Sequence, residues 1–190
     1  MYYDGPRKVL LDESFSKLLK LFDPRNLRCI SIAPRICPSI MEEVVNSEQW
    51  KNATSLQSFG IYEYDTDLEP FFHFNQLNIQ HFEHLRAEKA WKFVQNFLSR
   101  NPPLESSFKV LSIADLNMDL LFKFFPVPPF NQPTEDNDSN YFKHTQLFEL
   151  PNRENQLVVK ITRAGIFGAV CRKTHLEVDF RWAVFRVRIQ

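Results

Sequence analysis

His73, His81 and His84 form the densest group of metal-competent side chains in the sequence. A zinc site needs three or four such ligands converging in a tetrahedral arrangement. These three straddle a strand-like segment and its exit, with no neighbouring cysteine and no H-E-x-x-H context, so they read as surface or half-buried histidines and not as ligands. Cys171 precedes Arg172-Lys173, neighbours of the kind that lower a thiol pKa, and His175 follows four residues on. On a strand the two share a face but stand too far apart for proton transfer. Gly165-Ile166-Phe167-Gly168 has the spacing of a G-x-x-G loop that clamps nucleic-acid backbone between helices. Its neighbours here are strand-like, so it reads as a turn. Nucleophile-elbow, phosphate-loop and dinucleotide patterns do not occur. The sequence therefore assigns no catalytic, cofactor-binding or metal-binding residue.

Composition points the same way. The 190 residues are 44% hydrophobic and 24% charged, which is globular, and 23 basic side chains balance 23 acidic ones. A net charge of zero argues against a domain whose main task is neutralising phosphate. Nineteen Phe stand against four Gly; the first supply a large core, and the second leave little backbone for phosphate-cradling loops. Cys29, Cys37 and Cys171 lack paired spacing, so neither a disulfide framework nor a zinc site is indicated. The opening residues Met1 to Lys8 carry no apolar run, and no stretch is long and apolar enough to span a bilayer. An intracellular chain is expected, cytoplasmic or nuclear, with the Asn52-Ala53-Thr54 acceptor idle.

The elements that must position these residues follow from periodicity. Phe15, Leu18, Leu19 and Phe22 fall on one helical face before Asp23-Pro24. A second helix opens at Ser39, where Ser39-x-x-Glu42 has capping-box spacing and Ile40, Met41, Val44 and Val45 form the stripe. A further turn or helix carries 47–53. Ala87, Ala90, Trp91, Val94, Phe97 and Leu98 mark a helix over 86–99, ended by Asn101-Pro102-Pro103. A short helix over 118–125 stops at Pro126, and 126–140 is a proline-rich, then acidic, loop. Beyond it the period becomes two. Leu157 to Ile161 is a strand, and Leu176, Val178, Phe180, Trp182 and Val184 alternate before Phe185, Val187 and Ile189 take over the apolar phase. Gly165 and Gly168 fall in the connection.

Four segments share the arrangement Φ-x-x-Φ-x-Φ: Leu27/Ile30/Ile32, Leu56/Phe59/Ile61, Phe74/Leu77/Ile79 and Phe108/Leu111/Ile113. This is the strand core of a leucine-rich repeat, although its spacing here is irregular and an ordinary α/β sheet accounts for it equally well. In both cases the strands are expected to be parallel and helix-backed. The fold class is α/β: leucine-rich-repeat-like strand–helix units, a mostly parallel sheet and an antiparallel β C-terminal part. The chain divides into an N-terminal tail (1–14), an α/β region (15–125), the loop (126–140) and a C-terminal β part of the same domain (141–190).

Glu48-Gln49-Trp50-Lys51-Asn52-Ala53, preceded by Ile40 to Val45, resembles the EQWKxA signature of the nematode FTH domain, found mainly in Caenorhabditis families of F-box proteins. Glu69-Pro70-Phe71-Phe72-His73-Phe74 with Leu77 and Ile79 resembles its second landmark, an aromatic HF pair opening a strand. Leu18-Leu19-Lys20 with Asn26-Leu27 is similar to its N-terminal edge, and Phe142-Lys143 with Leu150-Pro151-Asn152 to its C-terminal part. The resemblance spans 15–161. It implies Glu48, Gln49, Trp50, Lys51, Ala53, His73 and Phe74 as family positions, and a substrate-recruiting module of a cullin ubiquitin ligase adaptor. An F-box does not fit before Phe15, so direct binding of a Skp-type linker is doubtful and a protein target of unknown identity is the expected partner.

Adjacent aromatics cannot all face one core. Phe71, Phe72, Phe124 and Phe125, with Phe130 in the loop, are therefore the expected partner-binding residues, while Phe15, Phe22, Phe59, Phe74, Phe97 and Phe108 are expected in the core. The alternative is RNA or an acidic ligand bound on the C-terminal strands, where Lys160, Arg163, Arg172, Lys173, Arg181, Arg186 and Arg188 outnumber Glu177 and Asp179, with Trp182 and Phe185 interleaved.

Overall fold

The computed structural model describes residues 10–11, 13–32, 35–36, 38–63, 65–125 and 144–174. Its elements in order are β1 (Leu10–Leu11), α1 (Glu13–Leu19), β2 (Cys29–Ile32), β3 (Arg35–Ile36), α2 (Pro38–Asn46), α3 (Glu48–Asn52), β4 (Ser55–Tyr62), a 3-10 turn (Glu69–Phe71), β5 (Gln76–Phe82), α4 (Ala87–Arg100), β6 (Ser107–Ser112), α5 (Met118–Phe122), β7 (His144–Glu149), β8 (Asn155–Thr162) and β9 (Gly165–Arg172). The expected α/β class holds. Seven strands form one sheet in the order β2-β4-β5-β6-β9-β8-β7, and β1 pairs with β3. Strands β2, β4, β5 and β6 are mutually parallel, while β9, β8 and β7 are antiparallel to their neighbours.

The parallel strands follow one another across the sheet in chain order without reversal. Right-handed crossovers then place every connection on the same side. The aromatic contacts agree. Phe93 of α4 stacks on Phe108 of β6 and Phe97 meets the same ring edge-on, and Trp91 reaches Phe125 and Phe148. Helix α5 joins this side through Phe122, which meets His144 of β7.

The four Φ-x-x-Φ-x-Φ segments supply the four parallel strands, but in two registers. Ile30, Leu56, Leu77 and Phe108 form one cross-strand row, buried beneath the helices. In β2 and β5 the first apolar residue of the pattern precedes the strand, so the remaining two alternate inward. In β4 and β6 it lies inside the strand, and a three-residue step then turns the next apolar residue to the other face. Phe59 (37% exposed), Ile61 (36%) and Ile113 (61%) are accordingly outward, which corrects the expectation for Phe59. Phe74, Phe97 and Phe108 are buried as expected, whereas Phe22 is 50% exposed, because α1 ends at Leu19 and the stripe runs past the helix.

Other expectations meet the structure as follows. The turn or helix expected over 47–53 is α3, and Ser47 caps it, its side chain accepting from the Trp50 N–H, a cap that was not read from the sequence. Helix α4 ends at Asn101 in the left-handed region, ahead of the two prolines. Helix α2 begins at Pro38, so Ser39 lies within it and is not its cap. Gly165 and Gly168 do not lie in a connection: both belong to β9, where Gly168 is paired with Phe108. A Cβ at Gly168 would come within 2.1 Å of the Phe108 ring, so glycine is what lets the antiparallel strand close on the parallel half. The 126–140 loop and the alternating segment from Leu176 to Ile189 lie outside the described residues.

Candidate interaction surface

The family-signature residues assemble into a latch. Gln49 is buried and donates from Nε2 to the Phe22 carbonyl at 2.8 Å. Trp50 is 1% exposed; its indole N–H donates to the Pro70 carbonyl at 2.9 Å, and its ring meets Phe71 and Phe74 edge-on. His73 Nε2 donates back to the Trp50 carbonyl at 2.8 Å. Burial pushes the His73 imidazole pKa down, and the nearby Arg100 charge lowers it further against the raising effect of its backbone hydrogen bonds. Arg100 donates from its guanidinium to the His73 and Phe74 carbonyls, the latter at 2.7 Å. Ala53 is buried, and Glu48 and Lys51 are exposed and paired at 3.5 Å. A one-turn helix is thereby tied to the Phe22 turn, the 3-10 turn and the end of α4. Such an interior latch positions β4 and β5 and leaves little of itself for a partner.

The aromatic pairs separate as alternate packing requires. Phe71 and Phe125 are buried, so neither has a surface to offer, a correction to their expected role. Phe72 and Phe124 are half-buried against the core, and Phe72 packs edge-on against Phe93. Phe130 lies outside the described residues.

The remaining sequence candidates do not converge. His81 is at the end of β5, and His84 is exposed in the turn after it. No group of three His, Cys, Asp or Glu among the described residues is arranged to hold a metal ion. Cys171 is buried, and burial pushes its thiol pKa up, opposed only by the Gln156 amide; the adjacent Arg172 and Lys173 do not produce the lowered value expected from sequence. His175 lies outside the described residues. Of the basic C-terminal set, Lys160 lies across from Phe167, and Arg163 sits at one end of the β8–β9 hairpin with Arg172 and Lys173 at the other; Arg181, Arg186 and Arg188 lie outside the described residues. Phe167 is 9% exposed with the Lys109 ammonium 5.9 Å from its ring centre, and is no open stacking platform.

What the sequence analysis missed is the face of the parallel sheet opposite the helices. Alternation from the buried row fixes its members. Gln57 lies beside Asn78, and Asn78 beside Lys109, while Phe59 and Ile61 extend the face along β4. The same alternation turns Ser58 inward, where its hydroxyl bonds the Tyr62 hydroxyl at 2.6 Å and burial pushes the phenol pKa up to about 12. The only signal in the sequence was the small pair Ser58 and Gly60, two residues apart and in step with Leu56.

These features define an α/β sheet clad by helices on one face; its opposite face exposes Phe59 and Ile61 on β4 and is buried at Asn78, Ser107 and Phe167. The sequence model of the FTH domain matches residues 9–128, and the chain belongs to that family, which is associated with F-box proteins. The match ends before Leu150-Pro151-Asn152, so the β7–β9 part lies beyond it. No curated protein and no solved structure matches the chain. No helix among the described residues is long and apolar enough to cross a membrane.

Proposed function

We propose that this chain is a non-enzymatic protein-interaction module that recruits a target through the sheet face opposite its helices, as the substrate-recruiting region of an F-box adaptor would for cullin-dependent ubiquitin transfer inside the cell. The observation that carries the reading is the outward placement of Phe59 and Ile61, each more than a third exposed, at one end of a polar sheet face. Exposed aromatic and aliphatic anchors within a polar surround are the usual make-up of a protein interface. Membership of the FTH family supports the same class of role. The target, and not the Skp-type linker, is the partner assigned to this face. Nucleic acid is the weaker reading, because Phe167 is covered and the described basic side chains are dispersed.

The test is capture followed by transfer. The chain, fused to an F-box and assembled with a cullin ligase, is expected to ubiquitinate the proteins it retains, and Phe59→Arg is expected to abolish both retention and transfer. Retention that survives Phe59→Arg and Ile61→Arg together would overturn the assignment of the face.

A further inference from the structure

Of the seven large hydrophobic side chains that the described residues leave exposed, three stand within five positions: Leu18 (53%), Leu21 (81%) and Phe22 (50%). They occupy the end of α1 and the turn that follows it. Main-chain bonds keep the chain wound as far as Phe22. The Lys20 N–H donates to the Ser16 carbonyl, the Leu21 N–H to the Leu18 carbonyl and the Phe22 N–H to the Leu19 carbonyl. The last two are three-residue steps, which bring Leu21 over Leu18 on one side of the turn. Leu19 and Ser16 point the other way and are buried.

This turn is held in place. Gln49 of α3 grips the Phe22 carbonyl, and the Asp23 carboxylate accepts from the Arg25 backbone N–H at 2.9 Å and the Asn26 amide at 3.3 Å. Lys20 pairs with Glu43 of α2. A contiguous apolar group in water marks an interaction site, and fixing it beforehand lowers the ordering cost of covering it.

The charges around the group select its partner. Lys17 pairs with Glu13, Lys20 with Glu43 and Arg25 with Asp23, so the rim carries both signs equally and calls for neither an acidic nor a basic ligand. Such a rim complements itself under a half-rotation. With 23 basic and 23 acidic side chains, two copies of the chain also approach without net repulsion. The area is sufficient. The three side chains leave roughly 300 Å² of apolar surface in water, close to the apolar share of a small specific interface, which buries about 600 Å² per partner.

We infer that the α1 turn is a twofold contact between two copies of this chain, with Leu18, Leu21 and Phe22 of one copy packing on the same three side chains of the other. Gln49 ties the turn to α3, on the helix-clad side of the sheet. The contact therefore leaves Phe59 and Ile61 of both copies in the open, and the dimer presents two such faces to a target with repeated sites.

Sedimentation equilibrium of the full chain tests the contact, from about 5 to about 500 µM, which spans the range of weak dimers. The expected result is a rise in mass from 22.5 kDa to twice that value. It should be insensitive to added salt, because the rim charges are already paired within each copy. Leu21→Lys should weaken self-association at least about tenfold. Leu21 is already mostly in water, so the melting temperature of the dilute chain should not change. Leu18→Lys, kept in case the first variant does not fold, should weaken association in the same way, and Phe59→Ser should leave it intact. A chain that stays monomeric throughout, or a dimer that survives both lysine substitutions together, would overturn the inference. So would a dimer lost with Phe59→Ser, one dissociated by salt, or association that continues beyond two copies.

Discussion

From β2 to β6 the strands are parallel, each connection crosses the same face, and burial along β2 and β4 alternates residue by residue. From β7 to β9 the strands are antiparallel, yet β9 is buried continuously from Gly165 to Cys171 and β8 nearly so. Proteins ordinarily show the reverse, with parallel strands buried on both faces and antiparallel strands alternating. The difference separates two tasks. In the parallel half, helices supply the core on one side and the other side keeps polar groups. The antiparallel half closes the sheet beyond β6 with almost pure apolar contact. The FTH match covers the first half and stops before the second, although the two share one sheet through the β6–β9 seam.

The strongest way to break this comparison is to remove the latch of the parallel half. Trp50→Ala deletes a fully buried ring and the Pro70 hydrogen bond and should cost about 3–5 kcal/mol in urea denaturation. Hydrogen exchange recorded alongside tells whether β8 and β9 amides lose protection in step. Protection that persists in them would show two units where we describe one sheet. Gly168→Ala acts at the seam. It forces a methyl into the Phe108 ring and should cost about 1–3 kcal/mol, with Phe108→Leu in the same chain recovering part of the loss. An additive double substitution would mean that the seam does not depend on this contact.

A smaller effect comes from pH. The folded state holds the His73 pKa below its unfolded value, chiefly through burial. The unfolded chain therefore binds the proton first as pH falls, and the contribution of His73 is full above about 6.5 and declines below it, until the folded pKa is passed. Comparing melting temperatures of the wild type and His73→Gln between pH 7.5 and 5 should show the steeper decline in the wild type; parallel curves would remove His73 as the cause. Smallest of all is Phe59→Ser, which should change stability by less than about 0.5 kcal/mol, since the side chain is already partly solvated. A loss above about 2 kcal/mol would place Phe59 in the core after all.

Much of the fold was legible because the signals were local. The stripe of α4 and the Asn101-Pro102-Pro103 stop each act within a few residues, and both are present, whereas the capping box read at Ser39 is not, because α2 already begins at Pro38. Strand β9 was not legible: Ile166 to Cys171 is an apolar run interrupted by Gly168, which reads as a connection until Phe108 is seen lying over it. The family positions Trp50, His73 and Phe74 were recognisable as a set, but their role as an interior latch depends on carbonyls of Pro70 and Trp50 that no sequence pattern displays.

The sequence by itself determined the α/β class, the four apolar strand segments and the helices between them, because propensity, capping and periodicity are properties of neighbouring residues. Only the tertiary structure decided which side of each strand faces the helices. A three-residue apolar spacing is compatible with either side, and register is set by what lies across the sheet. That choice buried Phe71, exposed Phe59 and Ile61, and placed Asn78, Ser107 and Lys109 on the same side of the sheet.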